Sequence, residues 1–313
     1  MSLSSASRSL RLIDIAVNLT DPMFVGIYRG KQAHAGTTLQ ESRAALTLAT
    51  TYNMYATVGC HPTHAGDIES HPQGPKDYFD SLFALIHSDT QTNLQPNPRV
   101  VAIGECGLDY DRTHFCPIHI QKRHFESHFA LASRSGLPML FHDRNTGPDF
   151  INMVRKHRKE FTTGVVHSYT GSIDDMTVLT SELGLYIGIN GCSMKTNENI
   201  QVVKLIPLDR LMLETDAPWC DIRPTHASFS YMGAGEKSDP LLDILGPEAK
   251  KKEKFVMGQR VKGRNEPCSM RHVLRAVAAI REMSEDVLAH TVYMNTLRVF
   301  FPSEHAEKIN CDE

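Results

Sequence analysis

Short apolar runs alternate along this chain with longer stretches of helical period. Apolar residues crowd positions 12–17, 55–60, 100–104, 138–141, 164–166, 185–189 and 211–214. Runs of this length, bounded by Gly, Pro and polar clusters, predict buried strands. Between them, 38–52, 79–86, 117–135, 149–161 and 172–183 repeat apolar residues three and four apart, which predicts helices. Pro117 suits a first helical turn and Gly136 a C-terminal cap. A further helix precedes Pro207, and two amphipathic helices over 269–283 and 285–299 close the chain. Such alternation predicts βα units on a parallel sheet, and the fold class expected is α/β, a TIM-like (β/α)8 barrel.

The count of strands falls one short of the eight that such a barrel needs. The deficit is local: only a short linker separates the first strand from the helix that starts at 38. A βα unit is therefore expected to be missing near Ala35, Gly36 and Thr37, by deletion or as a segment absent from the sequence. Residues 225–263 form a polar, Gly- and Pro-containing insertion expected on the active-site side, with the run Lys250-Lys251-Lys252-Glu253-Lys254. A solvated face is the preferred reading of that run, and a flap that meets phosphates is the sharper one. Nothing in the pattern separates a second domain, so residues 1–313 are read as one barrel domain.

The apolar runs share one further property. All but 185–189 deliver a polar, metal-capable side chain at their C-terminal end: Asn18, His61, Glu105, His142, His167, and Glu214-Thr215-Asp216. A carboxylate after a buried run has to be paired, protonated or bound to a cation, because an isolated buried charge costs many kcal/mol. In a parallel barrel the C-terminal strand ends form one ring, so residues distant in sequence converge there. Glu105, His142, His167 and Asp216 are the candidate ligands, and Glu105 is the candidate bridge between two ions. This mixed imidazole and carboxylate set suits Zn²⁺, Mn²⁺ or a similar divalent ion. Asp216 is further expected to take the proton from an attacking water, and Glu105 to share the catalytic centre. Arg144 and Arg264 are candidates to grip a phosphate. His61 is expected to touch substrate or to act as an outer metal ligand. Asp109 and Glu266 read equally well as supports behind the ligands and as loop ion-pair partners.

Composition narrows the class only slightly. Hydrophobic residues make up 41% and charged residues 22%, as in a soluble globular protein. The net charge of −3 excludes a basic coat for nucleic acid, though not a nuclease with a small metal-centred site. No apolar run approaches the ~20 residues that span a bilayer. The seven cysteines include no CxxC pair, which predicts reduced thiols in an intracellular compartment, with Cys60 and Cys106 as small buried hydrophobes. The Ser-rich start, with Arg8 and Arg11 and no acid, has a faint presequence character but is short. Cytoplasm or nucleus is expected ahead of mitochondrion.

The motifs also carry a resemblance. Val58-Gly59-Cys60-His61-Pro62, Ile103-Gly104-Glu105-Cys106-Gly107-Leu108-Asp109, His142-Asp143-Arg144, Val166-His167-Ser168-Tyr169-Thr170-Gly171, Leu213-Glu214-Thr215-Asp216-Ala217-Pro218 and Arg264-Asn265-Glu266-Pro267 resemble, in that order, the TatD-type metal-dependent deoxyribonucleases of the amidohydrolase-like barrel hydrolases. The resemblance runs from about Leu12 to Phe301. It implies a TIM-like barrel, one or two divalent ions (Zn²⁺, Mn²⁺ or Mg²⁺), and hydrolysis of DNA phosphodiester bonds, often from the 3′ end. It implies ligand roles for Glu105, His142, His167 and Asp216, and a substrate-side position for His61. Many members end the first strand in His-x-His, where this chain has Ala16 and Asn18. Val17-Asn18-Leu19-Thr20 resembles instead the branch around TatD itself, with Asn18 on the substrate side. The loss of two imidazoles bears on the affinity of one of the two metal sites. Relatives commonly have Cys before the Arg of His142-Asp143-Arg144, a difference expected to matter little.

The function expected is therefore a metal-dependent deoxyribonuclease, a 3′–5′ exonuclease with Asp216 as general base. DNA is the expected partner, with no membrane, no obligate protein partner and a monomeric state. The alternative is another barrel hydrolase acting on a small cyclic amide, lactone or deaminase substrate. Such sites usually keep His-x-His on the first strand, which disfavours it here.

Overall fold

The computed structural model describes residues 10–24, 37–88, 95–232, 249–256 and 258–312. Helix α1 (Leu39–Tyr52) starts where the Thr38 side chain accepts the Glu41 N–H and stops at Asn53, whose backbone is left-handed. Strand β1 (Ala56–Val58) follows, then α2 (Gly74–Ile86), β2 (Val100–Asp109) and α3 (Ile118–Ser135). Gly136 ends α3 with φ 71°, as its sequence position predicts. Next come β3 (Met139–Arg144), α4 (Asp149–His157) and β4 (Gly164–Val166). The single helix expected over 172–183 is two consecutive turns, Ile173–Thr177 and a wider π-turn Val178–Glu182. Strand β5 (Tyr186–Ile189), α5 (Asn197–Leu205) and β6 (Leu211–Leu213) complete the repeats. Helices α6 (Met270–Ile280), α7 (Glu285–Phe300) and α8 (Pro302–Asp312) end the chain. The last was not expected, because it is polar nearly all round and offers no apolar stripe.

The six strands form one parallel sheet in sequence order, β1 to β6. Val17 adds a parallel bridge to Ala217 beyond β6, and the N–H of Asp216 and the N–H of Asn18 bond the carbonyls of Ala16 and Ala217. The first expected strand, over 12–17, is thus reduced to a single bridge at Val17, a seventh neighbour of the sheet. The proposed gap at Ala35 and Gly36 lies outside the described residues. Thr37, just after it, gives its carbonyl to the His61 N–H at 2.9 Å, so the chain re-enters at the mouth beside β1.

Period two sorts the strand residues onto opposite faces. Met139, Phe141, Val166, Ile187, Leu211 and Leu213 face outward into the large core shared with the helices. Leu140, Val165, Tyr186 and Met212 face inward, where they meet one another, Ile15, and Val299 and Phe300 at the end of α7. Side chains from the first segment and four consecutive strands touch in that second cluster, which is how the interior of a curled parallel sheet fills. The fold is a TIM-like α/β barrel whose floor α7 helps to plug. Gly107 lets β2 press on β3: with φ 149°, a Cβ there would lie 1.9 Å from the His142 carbonyl oxygen.

Candidate active site

The inward parity of Leu140, Val165 and Met212 continues to His142, His167 and Glu214, two residues farther toward the mouth. Glu105, after the turn at Gly104, points to the same place. Its Oε1 lies 2.7 Å from His142 Nδ1 and 2.7 Å from His167 Nε2, and those two nitrogens are 3.3 Å apart. His61 Nε2 stands 3.5 Å from the same oxygen. All four residues are buried.

His142 and His167 are each oriented from behind by a second carboxylate, while His61 is held by its near neighbour Thr63. Asp109 Oδ2 lies 3.2 Å from His142 Nε2, and Glu214 Oε1 lies 3.4 Å from His167 Nδ1. His61 Nδ1 accepts the Thr63 backbone N–H at 3.2 Å, with Thr63 Oγ1 2.6 Å away. Glu214 is in turn fixed by the Ser168 N–H at 2.7 Å and the Asn190 amide at 2.8 Å. A carboxylate behind a metal-binding imidazole sets its tautomer and raises its basicity. Sequence reasoning named Asp109 only as one of two equal readings and passed over Glu214. The signal for Glu214 was present, since it lies two residues beyond the inward Met212.

Asp216 lies in the turn after β6, with a left-handed backbone at φ 51°. The Cys220 thiol donates to its Oδ2 at 3.2 Å. Burial pushes the Asp216 carboxyl up to about 6, against the opposing pull of His167. Burial also works against charge on Glu105, but His167, His61 and His142 outweigh it and hold that carboxyl well below its usual range. His61 shows the opposite balance: burial drops its imidazole to about 3, only partly offset by Glu105.

The other predicted residues are placed as follows. Arg144 is partly exposed at the rim, with Nη1 3.7 Å from Asp109 Oδ2. Asn18 is half-buried and holds the Ala217 carbonyl through its backbone N–H at 2.7 Å. Arg264 is placed differently from the expectation of a phosphate grip. It is 1% exposed, paired with Glu266 at 2.7 Å, bonded to the Met23 carbonyl, and stacked by Phe24. Glu266 is accordingly an ion-pair partner. Cys60 and Cys106 are buried free thiols.

The donor set fits a divalent ion. Three donor atoms, two imidazole nitrogens and one carboxylate oxygen, converge at mutual distances of 2.7–3.3 Å inside a buried pocket. Two ring nitrogens facing each other so closely cannot both carry protons comfortably, whereas a shared cation satisfies both. Glu105, His142 and His61 also form a cluster of metal-ligating groups by themselves.

Residues 28–301 match the model of the TatD related DNase family. The chain belongs to that family. The deoxyribonuclease Tat-D of Schizosaccharomyces pombe is 40% identical over 315 residues, covering 93% of this chain and 96% of the relative. The 3′-5′ ssDNA/RNA exonuclease TatD of Erwinia tasmaniensis is 30% identical over 308 residues, 92% of this chain and 99% of the relative. Among solved structures, a TatD family hydrolase from Entamoeba histolytica superposes with TM-score 0.79 at 27% identity, covering 95% of this chain and all, 100%, of that one. An uncharacterized amidohydrolase from Saccharomyces cerevisiae superposes with TM-score 0.78 at 30% identity, covering 93% and 100%. Both TatD-family membership and the barrel of its structural relatives agree with the resemblance read from the motifs. Among the described residues no helix is long and apolar enough to cross a membrane.

Proposed function

We propose that this TatD-family chain is a divalent-metal-dependent deoxyribonuclease that removes nucleotides from the 3′ end of DNA. The observation that carries the reading is the convergence of Glu105 Oε1, His142 Nδ1 and His167 Nε2, supported from behind by Asp109 and Glu214. Glu105, His142, His167 and Asp216 would hold the ion, with His61 beside them as an outer ligand or substrate contact. A divalent ion held there would lower the pKa of a bound water and offset phosphate charge. Zn²⁺ and Mn²⁺ suit the imidazoles better than Mg²⁺ does. Ala16 and Asn18 contribute no imidazole, so a second ion would depend on Glu105 and Asp216.

The chain's own residues divide the remaining work. Asp216, with its carboxyl near 6, stays largely ionised at neutral pH and accepts the proton of an attacking water. Arg144, at the rim beside Asp109, presents its guanidinium to a non-bridging phosphate oxygen. Asn18 borders the substrate from the first strand. Arg264 serves instead to lock 264–266 onto Met23 and Phe24. Residues 1–313 act as one barrel domain in this reading; the middle of the insertion 225–263 lies outside the described residues, and the Asn265 N–H bond to the Pro218 carbonyl ties the chain just beyond it to the Asp216 turn. A monomer in the cytoplasm or nucleus completes the proposal.

The test is hydrolysis of 3′-labelled and 5′-labelled DNA oligonucleotides by metal-stripped protein, with Mg²⁺, Mn²⁺ or Zn²⁺ restored. Metal-dependent stepwise loss of the 3′ label is expected. Binding of metal without cleavage of either strand would overturn the reading in favour of a small cyclic substrate.

A further inference from the structure

Two loops at the barrel mouth, after β5 and after β6, hold features that hydrolysis at the centre does not use. Trp219 is the only tryptophan in the sequence, and its side chain is 52% exposed. It lies one turn beyond Asp216, with its N–H on the Asp216 carbonyl at 2.8 Å. A large apolar ring left in water so close in the chain to Asp216 forgoes a sizeable burial gain. The two loops are in backbone contact, since a Cβ on Gly191 would lie 2.1 Å from the Cys220 carbonyl oxygen. They are laced together farther out: Ala227 N–H donates to the Lys195 carbonyl at 3.0 Å, and His226 N–H to the Arg223 carbonyl at 2.9 Å. Lys195 and Arg223 therefore flank the same dipeptide. Both side chains are exposed, and among the described residues neither pairs with an acid. Their charges also act on the buried His226, whose imidazole is lowered by burial first and by these two cations next.

Resting on the nuclease reading above, we infer that Trp219, Lys195 and Arg223 form a subsite for single-stranded nucleic acid. Trp219 stacks on an unpaired base next to the scissile phosphate, and the two cations take backbone phosphates along the strand. A base held inside a duplex has no free face for the indole, so the subsite selects unpaired ends. Aromatic stacking with backbone cations is sequence-tolerant, as a degradative enzyme requires.

The experiment uses the full chain loaded with metal and a single-stranded oligothymidylate with phosphorothioate linkages, so that binding is read without hydrolysis. Fluorescence of the lone tryptophan reports position 219 alone. Saturable quenching is expected, and an abasic strand of equal length binds about fivefold or more weakly, the lower end for a stacked base. By polarisation of a labelled strand, Trp219→Ala weakens binding by at least the same factor, and Trp219→Phe restores most of it. Lys195→Ala and Arg223→Ala each reduce the salt slope of binding by roughly 0.7. An unquenched indole under saturating strand, or Trp219→Ala binding as tightly as the parent, overturns the inference. Quenching without cleavage of the all-phosphate strand would instead sink the nuclease reading and leave the subsite standing.

Discussion

His142 is gripped from both sides: Asp109 Oδ2 stands 3.2 Å from its Nε2 while its Nδ1 faces Glu105 Oε1 at 2.7 Å. The imidazole therefore presents one nitrogen to the centre because the other is occupied. Asp109→Asn keeps the shape and removes the charge that favours this arrangement. Metal affinity is expected to fall roughly 10–100-fold, as when other supporting carboxylates are lost. Competition against a chelator of known affinity checks it. Unchanged affinity with an unchanged circular dichroism spectrum would show that Asp109 serves only Arg144 and Arg112, whose Nε lies 3.8 Å from its Oδ2.

Asp216 makes a different demand. It lies in a turn, touches the Cys220 thiol, and is not part of either hydrophobic cluster. Asp216→Ala is expected to lower hydrolysis by about 10²–10⁴-fold, the range for loss of a general base. The melting temperature should shift little. Turnover near that of the parent would remove Asp216 from the reaction.

Much of this architecture was legible from one rule. Apolar runs of period two place every second residue inside, and the polar residue that follows an inward apolar one becomes part of the mouth. That logic leads directly to His142 and His167, whereas Glu105 is turned inward by the break at Gly104, since Ile103 two residues before it packs in the outward core. The same parity from Met212 points to Glu214, although the ligand role was expected at Asp216; the two acids differ in structure, one fully buried behind His167 and the other in the turn beyond. Arg264 shows where sequence fails. An arginine beside Asn265-Glu266 reads the same whether it reaches for phosphate or is locked away. What buries it is Phe24 and the Met23 carbonyl, at the far end of the chain. The polar helix α8 was illegible for a simpler reason, since no apolar stripe announces it.

The barrel interior offers a stability test independent of chemistry. Met212 is fully buried in the inward cluster with Leu140, Val165 and Tyr186. Met212→Ala removes packing that no neighbour can replace, and a loss of about 2–5 kcal/mol is expected. Urea denaturation gives the value directly. A loss below about 1 kcal/mol would mean that this layer is loosely filled and that the outward core carries the fold.

His128 supplies the pH dependence. It is buried on α3, where its Nδ1–H donates to the His124 carbonyl at 2.6 Å and its Nε2 accepts the Cys60 N–H at 3.0 Å. Both nitrogens are used, one as donor and one as acceptor, so only the neutral ring fits. Burial accordingly lowers its pKa to about 4, from an ordinary 6.5. The unfolded chain then binds more protons than the folded one between those values. The resulting stability is fully present above about pH 6.5 and is lost as the pH falls towards about 4, on the order of 3 kcal/mol in all. His128→Gln retains one donor and one acceptor without a titrating group. Urea midpoints measured at several pH values should fall less steeply with acid in that variant than in the parent. Parallel curves would show that acid sensitivity resides elsewhere. The position matters for function as well, because the Cys60 N–H held by His128 belongs to the residue that precedes His61, and protonation releases that anchor at the edge of the metal pocket.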